Sequence, residues 1–293
     1  MLQLQSPLGL TELAFFGRDQ SENITFQLEG LTSLETLDIS DNSFRNISAE
    51  TLGDVPNLTS LILRSNRLPT ITKDAMDKVP KLIKLELGKN RIASLSPGVF
   101  SSLTSLKRLL LDRNELGNAT LSSDIFEGLG NVEILDLGGN NLANLPGDFL
   151  KHLVKLKDLI LSNNKFESLP EGLFETNIHL ESFKLFGNKA SSLVLPGGLF
   201  ENLSSLTLIN MDGSNIESLP ENIFRGATAL VTISLKGNRL RELPETIFQD
   251  TINLKNLYLQ DNKIREIPSQ LFVNLGELQV LDLSQNLITN ITE

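Results

Sequence analysis

The stretch Leu82-Ile83-Lys84-Leu85-Glu86-Leu87-Gly88-Lys89-Asn90 decides the fold. Its phrase, L-x-x-L-x-L-x-x-N, returns as Leu156, Leu159, Leu161, Asn164 and again as Leu278, Leu281, Leu283, Asn286. The closing asparagine stands at Asn42, Asn66, Asn90, Asn114, Asn140, Asn164, Asn188, Asn238, Asn262 and Asn286. Steps are 24 residues, stretched to 26 between Asn114 and Asn140 and between Asn188 and Ser214, which fills the one rung without asparagine. Self-similarity at this period is the mark of a solenoid, in which each repeat touches mainly its neighbours.

Within a repeat, Leu109 and Leu111 alternate with Arg108, Leu110 and Asp112, the period-2 pattern of a strand with one buried face. A second apolar row follows, as Phe126 and Leu129, and one unit of 24 residues cannot bury both rows alone. Stacking is therefore predicted: about twelve repeats with a parallel sheet on the concave side of an α/β horseshoe. The side chain of each ladder asparagine, with two donors and an acceptor, is expected to satisfy backbone groups where the chain leaves the strand. Ser214 reaches less far, so its turn is expected to be weaker. Residues 1–30 read as a degenerate first repeat, with Leu10, Leu13 and Phe15 in the apolar places and Arg18 where asparagine is due. Residues 31–293 read as eleven repeats in one continuous solenoid. The residues added in the two longer steps fall around Leu116–Ser123 and Ala190–Leu195.

Composition narrows the chemistry. A net charge of −10 argues against nucleic acid, whose phosphates need clustered Lys and Arg. There is no cysteine, hence no disulfide or thiolate chemistry. Phe100, Phe126, Phe174, Phe200, Phe224, Phe248 and Phe272 sit ten or twelve residues after a ladder position, a place for core and not for ligand. Leu28, Leu52, Met76 and Leu150 hold that place in other repeats. His152 and His179 lack metal-ligand spacing, and no phosphate loop or hydrolase elbow occurs. No catalytic residue, cofactor or metal is expected. The N-terminus does not read as a secretory signal, and no apolar run approaches a membrane span.

On each strand, alternate side chains must point out of the sheet. Most are polar, yet Ile62, Leu110, Ile134, Ile160, Phe186, Leu208 and Tyr258 have no core to fill there. Apolar residues among charges mark a protein-contact surface, so these, with Arg64, Lys84, Glu86 and Arg108, are the ligand-binding candidates. Six glycosylation sequons, at Asn23, Asn46, Asn57, Asn118, Asn202 and Asn290, all avoid the outward sheet positions.

The phrase defines a leucine-rich repeat, and within that family the chain resembles the outer part of arthropod Toll receptors. The resemblance rests on Leu169-Pro170 to Phe174, Leu219-Pro220 to Phe224 and Leu243-Pro244 to Phe248. It rests also on Gly172 to Leu180, on the lengthened repeat from Asn188 to Leu206, and on the opening Leu13-Ala14-Phe15 through Asn23-Ile24-Thr25. It implies a glycosylated cell-surface ectodomain in innate immune or developmental signalling. Such receptors bind a dimeric cystine-knot cytokine of the Spätzle type through the concave face of the first several strands, and the bound ligand can draw two receptors together. The family's cysteine cap, membrane span and signalling domain have no counterpart in the sequence, so a fragment or soluble form is expected. The competing expectation is a secreted leucine-rich scaffold or carrier of the matrix type.

Overall fold

The computed structural model describes residues 2–3, 9–17, 26–28, 30–118 and 121–291. Two compact units contain them: residues 1–140 with 152–155, and residues 141–151 with 156–293. Each is a solenoid stack of leucine-rich repeats.

In the first unit the strands are β1 (Glu12–Ala14), β2 (Thr36–Asp38), β3 (Ser60–Ile62), β4 (Lys84–Glu86), β5 (Arg108–Leu110) and β6 (Ile134–Asp136). All pair in parallel and in phase, so that Leu13, Leu37, Leu61, Leu85, Leu109 and Leu135 form one row. From Leu37 onward this row is fully buried. The second unit repeats the plan with β7 (Asp158–Ile160), β8 (Ser182–Lys184), β9 (Leu208–Asn210), β10 (Thr232–Ser234), β11 (Asn256–Tyr258) and β12 (Val280–Asp282). Parallel strands three residues long succeed here because every repeat returns the chain to the same register, and one slip would turn the buried leucines outward.

The second apolar row closes the core from behind. Helical structure in it is slight: α1 (Ala49–Leu52) and α2 (Lys73–Met76), capped by the Ser48 and Thr72 hydroxyls, which accept from the backbone of Thr51 and Ala75. Phe100, Phe126, Phe174, Phe200, Phe224 and Phe248 are buried as the period requires, while Phe272 is half-buried. In the second unit the rings stack repeat upon repeat, Phe174 on Phe200 at 5.9 Å, Phe200 on Phe224 and Phe224 on Phe248 at 6.0 Å. Each such pair adds about 1 kcal/mol beyond its area.

The ladder asparagines are the polar seam of the core. The Asn66 amide donates to Leu63 O at 3.1 Å in its own repeat and to Ile39 O at 2.9 Å in the preceding one. Its Oδ1 accepts from Phe44 N at 3.0 Å. Asn90, Asn114 and Asn262 make the same three bonds. Buried backbone groups left without a partner cost about 1–3 kcal/mol each, so each rung needs a side chain that can serve them.

Ser214 departs from this pattern. Its hydroxyl donates to Leu185 O at 2.6 Å and leaves its own Met211 O to the next rung, Asn238. Asn188 has turned away, giving and taking hydrogen bonds of 2.7 Å with the Phe166 backbone. Asn238 Oδ1 accepts from both Ser214 N and Ile216 N. The neighbours thus carry what the shorter side chain cannot. In the first repeat, Asn42 reaches back to Phe15 O and accepts from Gly17 N. Arg18 lies outside the described residues.

Candidate protein-binding face

Each sheet presents three rows of outward side chains. In the first unit one row runs Thr36, Ser60, Lys84, Arg108, Ile134 and the next Asp38, Ile62, Glu86, Leu110, Asp136, both fixed by the pairing register. A third row, just past the strands, holds Ser40, Arg64, Gly88, Asp112 and Gly138. Ile62, Leu110 and Ile134 are half-buried. Ile62 and Leu110 are separated by Glu86, whereas Leu110 sits diagonally beside Ile134 across one strand boundary.

The charges on this face are largely spoken for. Arg64 forms a bidentate pair with Asp112, Nη1 to Oδ1 at 2.7 Å and Nη2 to Oδ2 at 2.8 Å, spanning two repeats. The hydrogen bond to Asp112 raises the arginine pKa against the opposing effect of burial, so the cation is locked in its charged form. This strap crosses directly over Gly88, where a Cβ would stand 2.3 Å from both Arg64 Nη1 and Asp112 Oδ1. Glycine at that place is what lets two residues, two strands apart, meet. Lys84 pairs with Glu86 at 2.7 Å. Of the sequence candidates here, Arg64, Lys84 and Glu86 are therefore engaged with one another or with Asp112, while Arg108 is exposed with no ion pair among the described residues.

The face of the second unit is more neutral. Its rows are Asp158, Ser182, Leu208, Thr232, Asn256, Val280 and Ile160, Lys184, Asn210, Ser234, Tyr258, Asp282, with Ser162, Phe186, Asp212, Lys236, Gln260 and Ser284 beyond. Asp212 accepts from Ser234 Oγ at 2.6 Å and from Lys236 N at 2.9 Å. The Ser284 hydroxyl and backbone hold Asp282 below the usual carboxylate range. Phe186 is 39% exposed, against 0% for the core-facing Phe183 three residues earlier. Ile160, Leu208 and Tyr258 are half-buried and stand apart, each with a polar residue beside it in its row.

The strap over Gly88 is invisible to a reading repeat by repeat, because its partners lie 48 residues apart. Equally unread was an outer row of asparagines. Asn57, Asn131 and Asn253, each three residues before a strand, donate to Thr32 O, Thr104 O and Thr228 O of the preceding repeat. Asn57 also accepts from Lys81 Nζ at 2.9 Å, so one sequon carries a side chain already tied at both ends. Asn46 and Asn202 are exposed. Asn23 lies outside the described residues, and only the backbone is described at Asn118 and Asn290. His179 is exposed, and His152 Nε2 stands 3.6 Å from Asp124. No group of side chains suited to a metal ion occurs among the described residues.

The repeat geometry defines a class of protein, and the comparisons name it. A leucine rich repeat family model matches residues 25–68, 56–116, 119–166 and 130–189, and a BspA type leucine rich repeat region matches 194–293. The chain belongs to the leucine-rich repeat family. Within that class it is similar to a chain of the Drosophila Toll–Spätzle complex, with 31% identity and a TM-score of 0.77 over 94% of this chain and 39% of that one. A leucine-rich repeat protein of Leptospira interrogans matches at 27% identity and a TM-score of 0.65, over 88% of this chain and 68% of that one. A chain of the octameric complex of Latrophilin 3, Unc5D and FLRT2 shares the fold alone, at 24% identity and a TM-score of 0.70 over 89% and 78%. Comparison with curated protein sequences gives no match.

Proposed function

We propose that this chain is a protein-binding segment of a Toll-type cell-surface receptor. It recognises a Spätzle-like cystine-knot cytokine in innate immune or developmental signalling, acting by binding and not by catalysis. The observation that carries this reading is the likeness to the Toll–Spätzle chain, 31% identical along 94% of the sequence. The chain spans 39% of that longer one, so signalling and ligand-induced dimerisation belong to the proposal and not to the segment itself. The sheet face of the first unit supports it physically. Leu110, Ile134 and Ile62 offer apolar contact, Arg108 offers a free cation, and the internal ion pairs around them keep the surface rigid, which lowers the entropy lost on binding. The exposed sequon at Asn46 lies off this face and would leave it open when glycosylated.

The test is a binding titration of the chain with a purified Spätzle-type dimer. The double substitution Ile62→Asp with Leu110→Asp is expected to weaken binding by at least about ten-fold, the loss of roughly 1.4 kcal/mol. Unchanged affinity removes the sheet face from the interface. No binding of the unaltered chain removes the cytokine as partner.

A further inference from the structure

The second unit carries a separate cationic site on the flank that follows the ladder. Arg239-Leu240-Arg241-Glu242-Leu243-Pro244 and Lys263-Ile264-Arg265-Glu266-Ile267-Pro268 are the same hexapeptide pattern in successive repeats. Leu240, Leu243, Ile264 and Ile267 are buried, which turns the intervening cations outward in both. In the first of the two an anion is at hand, since Glu217 of the preceding repeat lies 4.0 Å from Arg239 and 3.8 Å from Arg241. One repeat later the place of Glu217 is taken by Arg241. Lys263 and Arg265 accordingly have no ion pair among the described residues. Arg241, Lys263 and Arg265, with Glu242, Glu266 and Leu287, line an open groove of about 570 Å³. Three cations thus face two carboxylates among the described lining residues, on a chain whose net charge is −10.

We propose that this groove binds a sulfated polysaccharide. Its cations stand in register on adjacent repeats, so a single extended chain can meet them in turn. Sulfate groups stay ionised at physiological pH and take charge-assisted hydrogen bonds from guanidinium and ammonium groups. Glu242 and Glu266 decide the rest of the chemistry. They accept hydrogen bonds from sugar hydroxyls, which a polyphosphate lacks. An acidic peptide would need apolar anchor pockets, and among the described residues Leu287 is the one apolar side chain in the lining. Single-stranded nucleic acid needs stacking aromatics, and the lining has none among the described residues. The site lies off the sheet face and does not depend on what that face binds.

The experiment uses the whole chain on immobilised heparin, with desulfated heparin, polyphosphate and poly-glutamate as competitors. The chain is expected to bind at physiological ionic strength, with heparin alone competing well. Lys263→Ser with Arg265→Ser is expected to lower affinity about ten-fold and to reduce the salt slope by about two. Arg241→Ser, a separate change, is expected to act in the same direction. Arg225→Ser with Lys255→Ser, which removes two cations elsewhere on the unit, leaves binding unchanged. Absence of heparin binding overturns the proposal, as does an equal loss in the Arg225/Lys255 pair. Competition by polyphosphate or poly-glutamate as strong as by heparin overturns the assignment to a sugar.

Discussion

The two lengthened repeats, Asn114 to Asn140 in the first unit and Asn188 to Ser214 in the second, meet the same problem in different ways. Both insert two residues between one rung and the next. In the first, Asn140 keeps the full set, donating to Leu111 O at 2.9 Å and Leu137 O at 3.0 Å and accepting from Leu116 N at 3.5 Å. The slack is absorbed outside the seam, in the 3₁₀ turns at Leu116–Asn118 and Ser123–Phe126. In the second, the rung itself is shortened to a hydroxyl, Asn188 turns to Phe166, and Asn238 carries an extra bond to Ser214 N. Length is cheap in a solenoid as long as every buried backbone group finds a partner. What matters is the donor count at the rung and not the number of residues between rungs.

The strongest way to break this comparison is Asn238→Ala. That one amide serves Ser214 N, Ile216 N, Met211 O and Leu235 O, so its loss should cost about 4 kcal/mol or more, read from the urea midpoint. Asn140→Ala, which strands fewer groups, should cost less. Equal costs would mean that Asn238 carries no extra load. The next effect concerns the sheet faces of the same two units, since among the described residues only the first is strapped by a bidentate ion pair. Gly88→Ala forces Arg64 and Asp112 apart and should cost about 1–2 kcal/mol, moderated because the pair is partly exposed to solvent. An unchanged melting temperature, with the pair intact in a structure of the variant, would show that the strand yields instead. The smallest effect is Ser214→Asn. Because Asn188 and Asn238 already satisfy their surroundings, restoring the missing amide should change stability by no more than about 1 kcal/mol in either direction. A larger gain would identify the shortened rung as a true weak point.

Much of the fold was legible beforehand because a period of 24 forces each residue type into one environment. The leucine phrase, the ladder asparagines and the phenylalanine spine short of Phe272 fell where the interval put them, and at Ser214 the neighbouring asparagines make up for the shorter side chain. The site was legible only in outline. Ile62, Leu110, Ile134 and Arg108 remain available on the sheet face. Arg64, a binding candidate from its outward position, is bound to Asp112, because a pattern shows which face a side chain takes and not which neighbour it meets. The flank motif at Arg239 and Lys263 passed unread because apolar periodicity, the guide to everything else, is silent about the charges between the leucines.

By itself the sequence determined the repeat, its register and the direction of every strand side chain, since burial of two apolar rows admits no other period. Tertiary structure alone decided which charges cancel across repeats and which are left over. Arg64 and Asp112 meet because Gly88 has no side chain between them, and Lys263 and Arg265 have no ion pair among the described residues because Arg241 stands where Glu217 stood one repeat before. Such pairings depend on distances between residues one or two repeats apart, and only the stacked chain brings those within reach of a hydrogen bond.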